Sequence, residues 1–239
     1  MKDVPKLPLV VFLAFALLLG FGLSASATTI TLNFDTLPSA QGWTYLSTKN
    51  IAEGSAFSVN GSTLTQNTIG DGRLAAAYYQ MAGVFDPTKP FSMEVNVRIL
   101  GEEAFGGPGF GAFGFLATGA NLYSLVYVDD DAVRVYDAST GYQQMPIDGT
   151  LFHDYLFHAN PGAGTWTLDI DGAFAMAGSI NTAGTAQNLI WFGDVAALEN
   201  GNAEIAKYVF TQNSPVPEPT SLSLIGIGLF GVVLRLRRN

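Results

Sequence analysis

Phe91-Ser92-Met93-Glu94-Val95-Asn96-Val97-Arg98-Ile99 decides the class of fold. Phe91, Met93, Val95, Val97 and Ile99 are apolar, while Ser92, Glu94, Asn96 and Arg98 are polar. Side chains alternate between the two faces of a strand, so the stretch predicts a strand with one buried and one wet side. Period-two runs bounded by Gly, Asn and Asp recur between Thr28 and Thr211, and helical spacing is hard to find. Leu122–Val128 and Val133–Tyr136, joined by Asp129-Asp130-Asp131, predict a hairpin. Asp154–His158 and Thr165–Ile170 predict another across Asn160-Pro161-Gly162-Ala163-Gly164, and Asp171-Gly172 then turns into Ala173–Ala177. Ile190–Gly193 and Glu204–Phe210 complete the set, with the Gly-rich stretches Gly101–Gly114 and Gly178–Gly184 read as loops. Many short strands with such turns predict an all-β antiparallel sandwich or barrel.

Both ends of the 239-residue chain differ from this body. Residues 1–27 have the plan of a secretory signal peptide: Lys2 and Lys6, an apolar run from Leu9 to Leu23, and Ala25-Ser26-Ala27 as cleavage site. At the other end Val216-Pro217-Glu218-Pro219 precedes an apolar run, and Arg235-Leu236-Arg237-Arg238 closes the chain. The prolines fix φ and remove backbone donors, which keeps the spacer extended. The apolar run partitions into lipid, and the arginines resist translocation. Ser221–Leu234 makes about 21 Å of helix against a hydrocarbon core of about 30 Å. A membrane segment over about 221–236 is therefore a marginal span, suited to a temporary hold before processing; a permanent anchor in a thin membrane is the other reading. The expected division is 1–27 signal peptide, 28–213 β-sandwich domain and 214–239 sorting signal.

Between residues 28 and 219 six Lys and Arg stand against nineteen Asp and Glu, a net charge of −13. A body this acidic repels nucleic-acid phosphates and suits cations, basic partners or neutral sugar polymers. The chain has no cysteine, which excludes disulfides, thiolate metal sites and cysteine nucleophiles.

Two resemblances follow from these residues. The tail, with Pro217-Glu218-Pro219, the Gly-punctuated Ile225-Gly226-Ile227-Gly228-Leu229 and the basic end, resembles the PEP-CTERM sorting signal of exopolysaccharide-producing Gram-negative bacteria. It implies an exosortase-type membrane protease as partner, a transient inner-membrane stage, and delivery to the cell surface or extracellular matrix. Phe152-His153-Asp154-Tyr155-Leu156, Gly164-Thr165-Trp166-Thr167-Leu168-Asp169-Ile170-Asp171-Gly172 and Ile190-Trp191-Phe192-Gly193-Asp194 resemble the laminin-G-like, concanavalin A-like jelly roll. Phe34–Gln41 and Phe91–Ile99 fall in the order that fold expects.

Candidate chemistry is sparse. Two-carboxylate glycoside hydrolysis in this fold places its acids on alternate residues of one strand, and the nearest string, Glu94-Val95-Asn96-Val97-Arg98, has one carboxylate, an amide and a cation. No catalytic residue, cofactor or metal ligand is assigned, and an enzyme is not expected. Asp129-Asp130-Asp131 offers hard oxygens that would suit calcium, but reads as an acidic hairpin tip in water. His153 and His158, five apart on one strand, face opposite ways and cannot chelate together. Trp43, Trp166, Trp191, Tyr78, Tyr79, Tyr123 and Tyr127 are either core or a platform for sugar rings, with Trp166 and Trp191 expected to pack inside. The expected function is a non-catalytic envelope or matrix protein in contact with exopolysaccharide, or a lectin-like carbohydrate-binding module. A cryptic glycoside hydrolase is the least favoured.

Overall fold

The computed structural model describes residues 28–105, 111–196 and 199–212. The expected signal peptide with Ala25 and Ala27, the Val216–Pro219 motif and the membrane segment at 221–236 lie outside the described residues. Ala27–Asn213 form one compact unit.

Fifteen strands build the described body: β1 (Thr28–Thr31), β2 (Thr44–Ser47), β3 (Phe57–Asn60), β4 (Thr63–Asn67), β5 (Ala77–Ala82), β6 (Phe91–Ala104), β7 (Phe113–Gly119), β8 (Leu122–Val128), β9 (Ala132–Asp137), β10 (Gly141–Pro146), β11 (His153–Asn160), β12 (Thr165–Ile170), β13 (Ala173–Ser179), β14 (Leu189–Asp194) and β15 (Glu199–Gln212). They form two antiparallel sheets. The first runs β13-β12-β11-β6-β15-β4-β3, with β1 also paired to β15, and the second runs β10-β9-β8-β7-β14-β5-β2. This is an antiparallel jelly-roll β-sandwich.

The core lies between the sheets and is assembled by the alternation read in β6. Met93, Val95 and Val97 are fully buried, and across the ladder Tyr208 and Phe210 of β15 and Tyr155 and Phe157 of β11 join them. Burying one such side chain stabilises the fold by about 1.5–3 kcal/mol. The opposite face of β6 is charged and paired: Lys207 Nζ sits 2.5 Å from Glu94, and Arg98 donates to Glu204 at 2.6 and 2.8 Å. Aromatic edges tie the layers together, with Trp43 meeting Phe192 and Tyr208 at ring distances of 5.1 and 5.4 Å.

Phe34–Gln41, to which the sequence assigns no element, is a turn followed by a single 3-10 turn at Pro38–Gln41, because Pro38 leads it and Gly42 closes it in the left-handed region. Two sequence expectations change. Gly101–Ala104 is strand, because β15 extends as far and pairs with it through Glu199–Asn202. Gly178 and Ser179 also belong to a strand, β13, since they pair with Trp166 and Thr165.

Candidate functional site

The outer face of the second sheet carries an aromatic surface that strand register assembles. Tyr142, Tyr136, Leu125, Leu116, Trp191 and Gln80 lie in one cross-strand row through β10, β9, β8, β7, β14 and β5. Tyr127 and Tyr78 stand in the neighbouring row, where β7 and β14 between them contribute Gly114 and Gly193. Trp191 stacks on Tyr78 with ring centroids 5.1 Å apart and planes 10° off parallel. On the other side Tyr123, Tyr136 and Tyr142 meet edge to face at 5.5 and 4.9 Å. Between these groups Leu116 and Leu125 are buried as a small second cluster with Tyr127 and Ala196. Gly193 makes the stack possible. Its φ is +128°, and a Cβ there would lie 2.9 Å from Tyr78 Cα.

Burial pushes the hydroxyls of Tyr78, Tyr123, Tyr127 and Tyr142 up. Tyr142 reaches about 12, through burial first and then the neighbouring Tyr123 and Tyr136. Tyr127 rises further, again through burial first. Arg134 on this face donates to Gln144 at 3.1 Å.

One end of the face is acidic. Asp129 follows β8, is 2% exposed, and forms an ion pair with Arg134 of β9. Glu102 of β6 and Glu199 of β15 reach it from the first sheet. A register shift brings them there: Ile99 pairs with Ala203 but Gly101 pairs with Asn202, so Leu100 is an extra residue. Beyond that bulge the alternation changes phase. Glu102, opposite Gly201, takes the inner face that Ile99 and Val97 occupy, and Glu199 lies on the same face. One oxygen from each of Glu102, Asp129 and Glu199 lies within 4.8 Å of the others. Gly111 holds the corner: its N–H donates to Glu199 Oε2 at 3.1 Å, and a Cβ at its φ of +98° would meet Tyr127 Cβ at 2.6 Å and Asp129 Oδ1 at 3.0 Å. Glu102, at the exposed rim, is raised to about 7, by desolvation first and then by the charges of Glu199 and Asp130. Nearby Asp194 is fully buried against Thr68 Oγ1 at 2.6 Å, and burial raises it well above the carboxylate range.

The acidic turn is therefore not the solvated tip that the sequence suggests. Asp129 is buried, Asp130 is half-buried, and the backbone carbonyls of Asp130 and Asp131 accept from Gly149 and Ile147 at 2.8 and 3.0 Å. Only Asp131 is exposed. Trp166 packs inside as expected, 2% exposed with Nε1 donating to Ser179 O at 3.2 Å. Trp191 does not, because Phe192 takes the inner position beside it. Tyr79 is core and Tyr78 is surface, and Tyr123 and Tyr127 share the outer face with Trp191. His153 and His158 do not meet. His153 Nδ1 lies 2.6 Å from Asp171 and its Nε2 3.0 Å from Asp148 O, which fixes the start of β11 against the β12–β13 turn. Glu102 and Glu199, unmarked by any sequence motif, are the residues that sequence reasoning missed.

Residues 215–238 match the PEP-CTERM protein-sorting motif. The match implies an exosortase substrate, exported and anchored in a membrane by its C-terminus before cleavage. No curated protein matches the chain by sequence. In fold, the chain is similar to a protein of unknown function from Shewanella oneidensis MR-1, at TM-score 0.54 and 13% identity over 92% of this chain and 99% of that one. It is also similar to lectin I-B4 from Griffonia simplicifolia in its metal-free form, at TM-score 0.51 and 9% identity over 77% of this chain and 100% of that one. The endo-beta-1,3-glucanase from Pyrococcus furiosus follows at 0.50 and 12%, over 77% and 94%. The body thus has the jelly-roll, lectin-like fold.

Proposed function

We propose that this protein is a non-catalytic component of the cell envelope or extracellular matrix of a Gram-negative bacterium, and that the outer face of its second sheet contacts exopolysaccharide. The observation that carries the reading is the pair of aromatic groups flanking the buried middle of that face: half-buried Trp191 on Tyr78 at one side, and Tyr123, Tyr136 and Tyr142 at the other. Aromatic faces suit the apolar faces of sugar rings. The net negative body is compatible with neutral glycans. Solved structures similar in fold include a lectin and a glucanase.

Absence of catalysis is part of the proposal. Hydrolysis by two carboxylates needs them about 5–5.5 Å apart for retention or about 6.5–9.5 Å for inversion. The oxygens of Glu102, Asp129 and Glu199 gather within 4.8 Å, and Arg134 is paired into the group. Asp129 is thus held by a guanidinium and Glu199 by Gly111 N–H, which leaves the group without two free acids to flank a sugar bond. The near-parallel Tyr78–Trp191 pair favours a narrower second reading, a lectin-like module with one definite saccharide site.

The test has two arms. Full-length protein in detergent is titrated with the host's exopolysaccharide and with oligosaccharides cut from it, followed by tryptophan fluorescence and calorimetry. Binding of the polymer supports the proposal, and saturable one-to-one binding of a short oligosaccharide selects the lectin-like reading. No binding of either, or glycan cleavage during the titration, would refute it. In the native host, replacing Pro217, Glu218 and Pro219 by alanine should leave export intact and trap the protein in the inner membrane; unchanged surface delivery would refute the sorting arm.

A further inference from the structure

We infer that Glu102, Asp129 and Glu199 form a divalent-cation site suited to calcium, bridging the two sheets at one end of the sandwich. The inference does not depend on the saccharide reading. Calcium takes oxygen ligands at about 2.3–2.6 Å, so two of its ligands stand at most about 4.6–5.2 Å apart. The three carboxylate oxygens lie within 4.8 Å of one another and reach one such ion together. Magnesium demands near-ideal octahedral geometry at about 2.0–2.1 Å and dehydrates reluctantly, so an irregular, all-carboxylate set suits calcium better.

The second observation is Asp129. It is 2% exposed, its Oδ2 is engaged by Arg134, and its buried Oδ1 has no hydrogen-bond partner among the described residues. A buried carboxylate oxygen left without a donor is costly, and a cation removes that cost. The surroundings also fix the ligands. Gly111 N–H holds Glu199 by Oε2, and the missing side chain of Gly111 leaves room over Asp129 Oδ1. Charge agrees: one guanidinium stands against three carboxylates, with Asp130 beside them. Glu102 and Glu199 come from the first sheet and Asp129 from the second, so a bound ion cross-links the layers in a chain that has no cysteine. Glu102 lies at the exposed rim, where the ion enters and where water completes a coordination of about six to eight.

The test uses full-length protein in detergent, stripped with chelator and then given calcium, magnesium or terbium. Calcium at a hundredfold excess over its Kd should raise Tm by about 5–10 °C, and magnesium by less. Terbium should show sensitised emission through Tyr127, whose ring lies against the same Gly111 corner. Glu102→Gln, at the rim and outside the core, should lower calcium affinity by about tenfold or more, whereas exposed Asp131→Asn should bind as wild type. Equal melting in calcium and chelator with no terbium emission would overturn the site. So would a Glu102→Gln protein that binds like wild type, or loss of binding in Asp131→Asn alone, which would move the ion to the exposed turn.

Discussion

Trp166 and Trp191 both stand within strands, and cutting each to alanine separates the core from the proposed contact face. Trp166 is 2% exposed, stacks on Phe157 at 6.0 Å and donates Nε1 to Ser179 O. Its removal leaves a cavity inside a packed layer, worth about 3–5 kcal/mol, and strips the Ser179 carbonyl of its partner for about 1 kcal/mol more. For a domain near this size each kcal/mol moves Tm by about 2–4 °C, so Trp166→Ala should melt about 8–24 °C lower. Trp191 is half-buried on the outer face, stacked on Tyr78 and packed against the Leu116–Leu125 cluster. It forfeits an aromatic pair worth about 0.5–1.5 kcal/mol and a similar amount of partial burial. Trp191→Ala should therefore melt only about 2–12 °C lower. Binding should show the reverse order. Losing one stacking surface weakens polysaccharide binding by about 2- to 12-fold, from the same 0.5–1.5 kcal/mol, while any Trp166→Ala protein that folds should bind normally. Thermal melts paired with polysaccharide titration on both variants decide it. Equal destabilisation by the two substitutions, or full binding by Trp191→Ala, would refute the assignment of inner and outer faces to core and contact.

Gly193→Ala should lower Tm by about 2–12 °C, because a Cβ at φ +128° strains the backbone and presses on Tyr78 Cα, at a cost of about 1–3 kcal/mol; Gly54→Ala, with open space around it and ordinary φ, is the matched control. Acid should destabilise the body through Asp137, where burial raises the carboxyl but donors from Ser139, Ser179 and Thr140 outweigh it and hold it well below the usual range. A depressed carboxyl contributes stability that is full above its unfolded value of about 3.9 and is lost as pH falls below that. Asp137→Asn should cost about 1.5–3 kcal/mol at pH 7 and flatten the stability profile below about pH 4, measured by urea melts; an unchanged acid slope would sink this account.

The strands could be read from sequence wherever one face is wet and the other dry. Phe91–Ile99, Asp154–His158 and Thr165–Ile170 alternate because β6, β11 and β12 have solvent on their outer side. β7, in the middle of the second sheet, is Phe113-Gly114-Phe115-Leu116-Ala117-Thr118-Gly119 and is buried on both faces. A strand covered on both sides has no alternation to betray it, and its glycines make it look like a loop. The same covering hid the outer position of Trp191. Trp191 and Phe192 are adjacent and both large, so pattern alone could not say which of them faced the core.

The acidic site was hidden for a different reason. Alternation carried unbroken from Ile99 would send Gly101 and Glu103 inward and Glu102 outward. The extra residue at Leu100 reverses this, so Glu102 turns inward and Glu103 turns out to meet Gly70 N–H at 2.9 Å and Asn200 at 3.3 Å. A bulge in one strand is defined by its partner, and the partner here, β15, begins about a hundred residues later, at Glu199. Sequence reading of Asp129-Asp130-Asp131 judged the run against its own neighbours, which are a hairpin turn. What decides its chemistry is the pair of glutamates that a distant register shift delivers beside it. Local pattern can therefore find the strands of such a sandwich, while a site built across its layers depends on how long strands slip against each other.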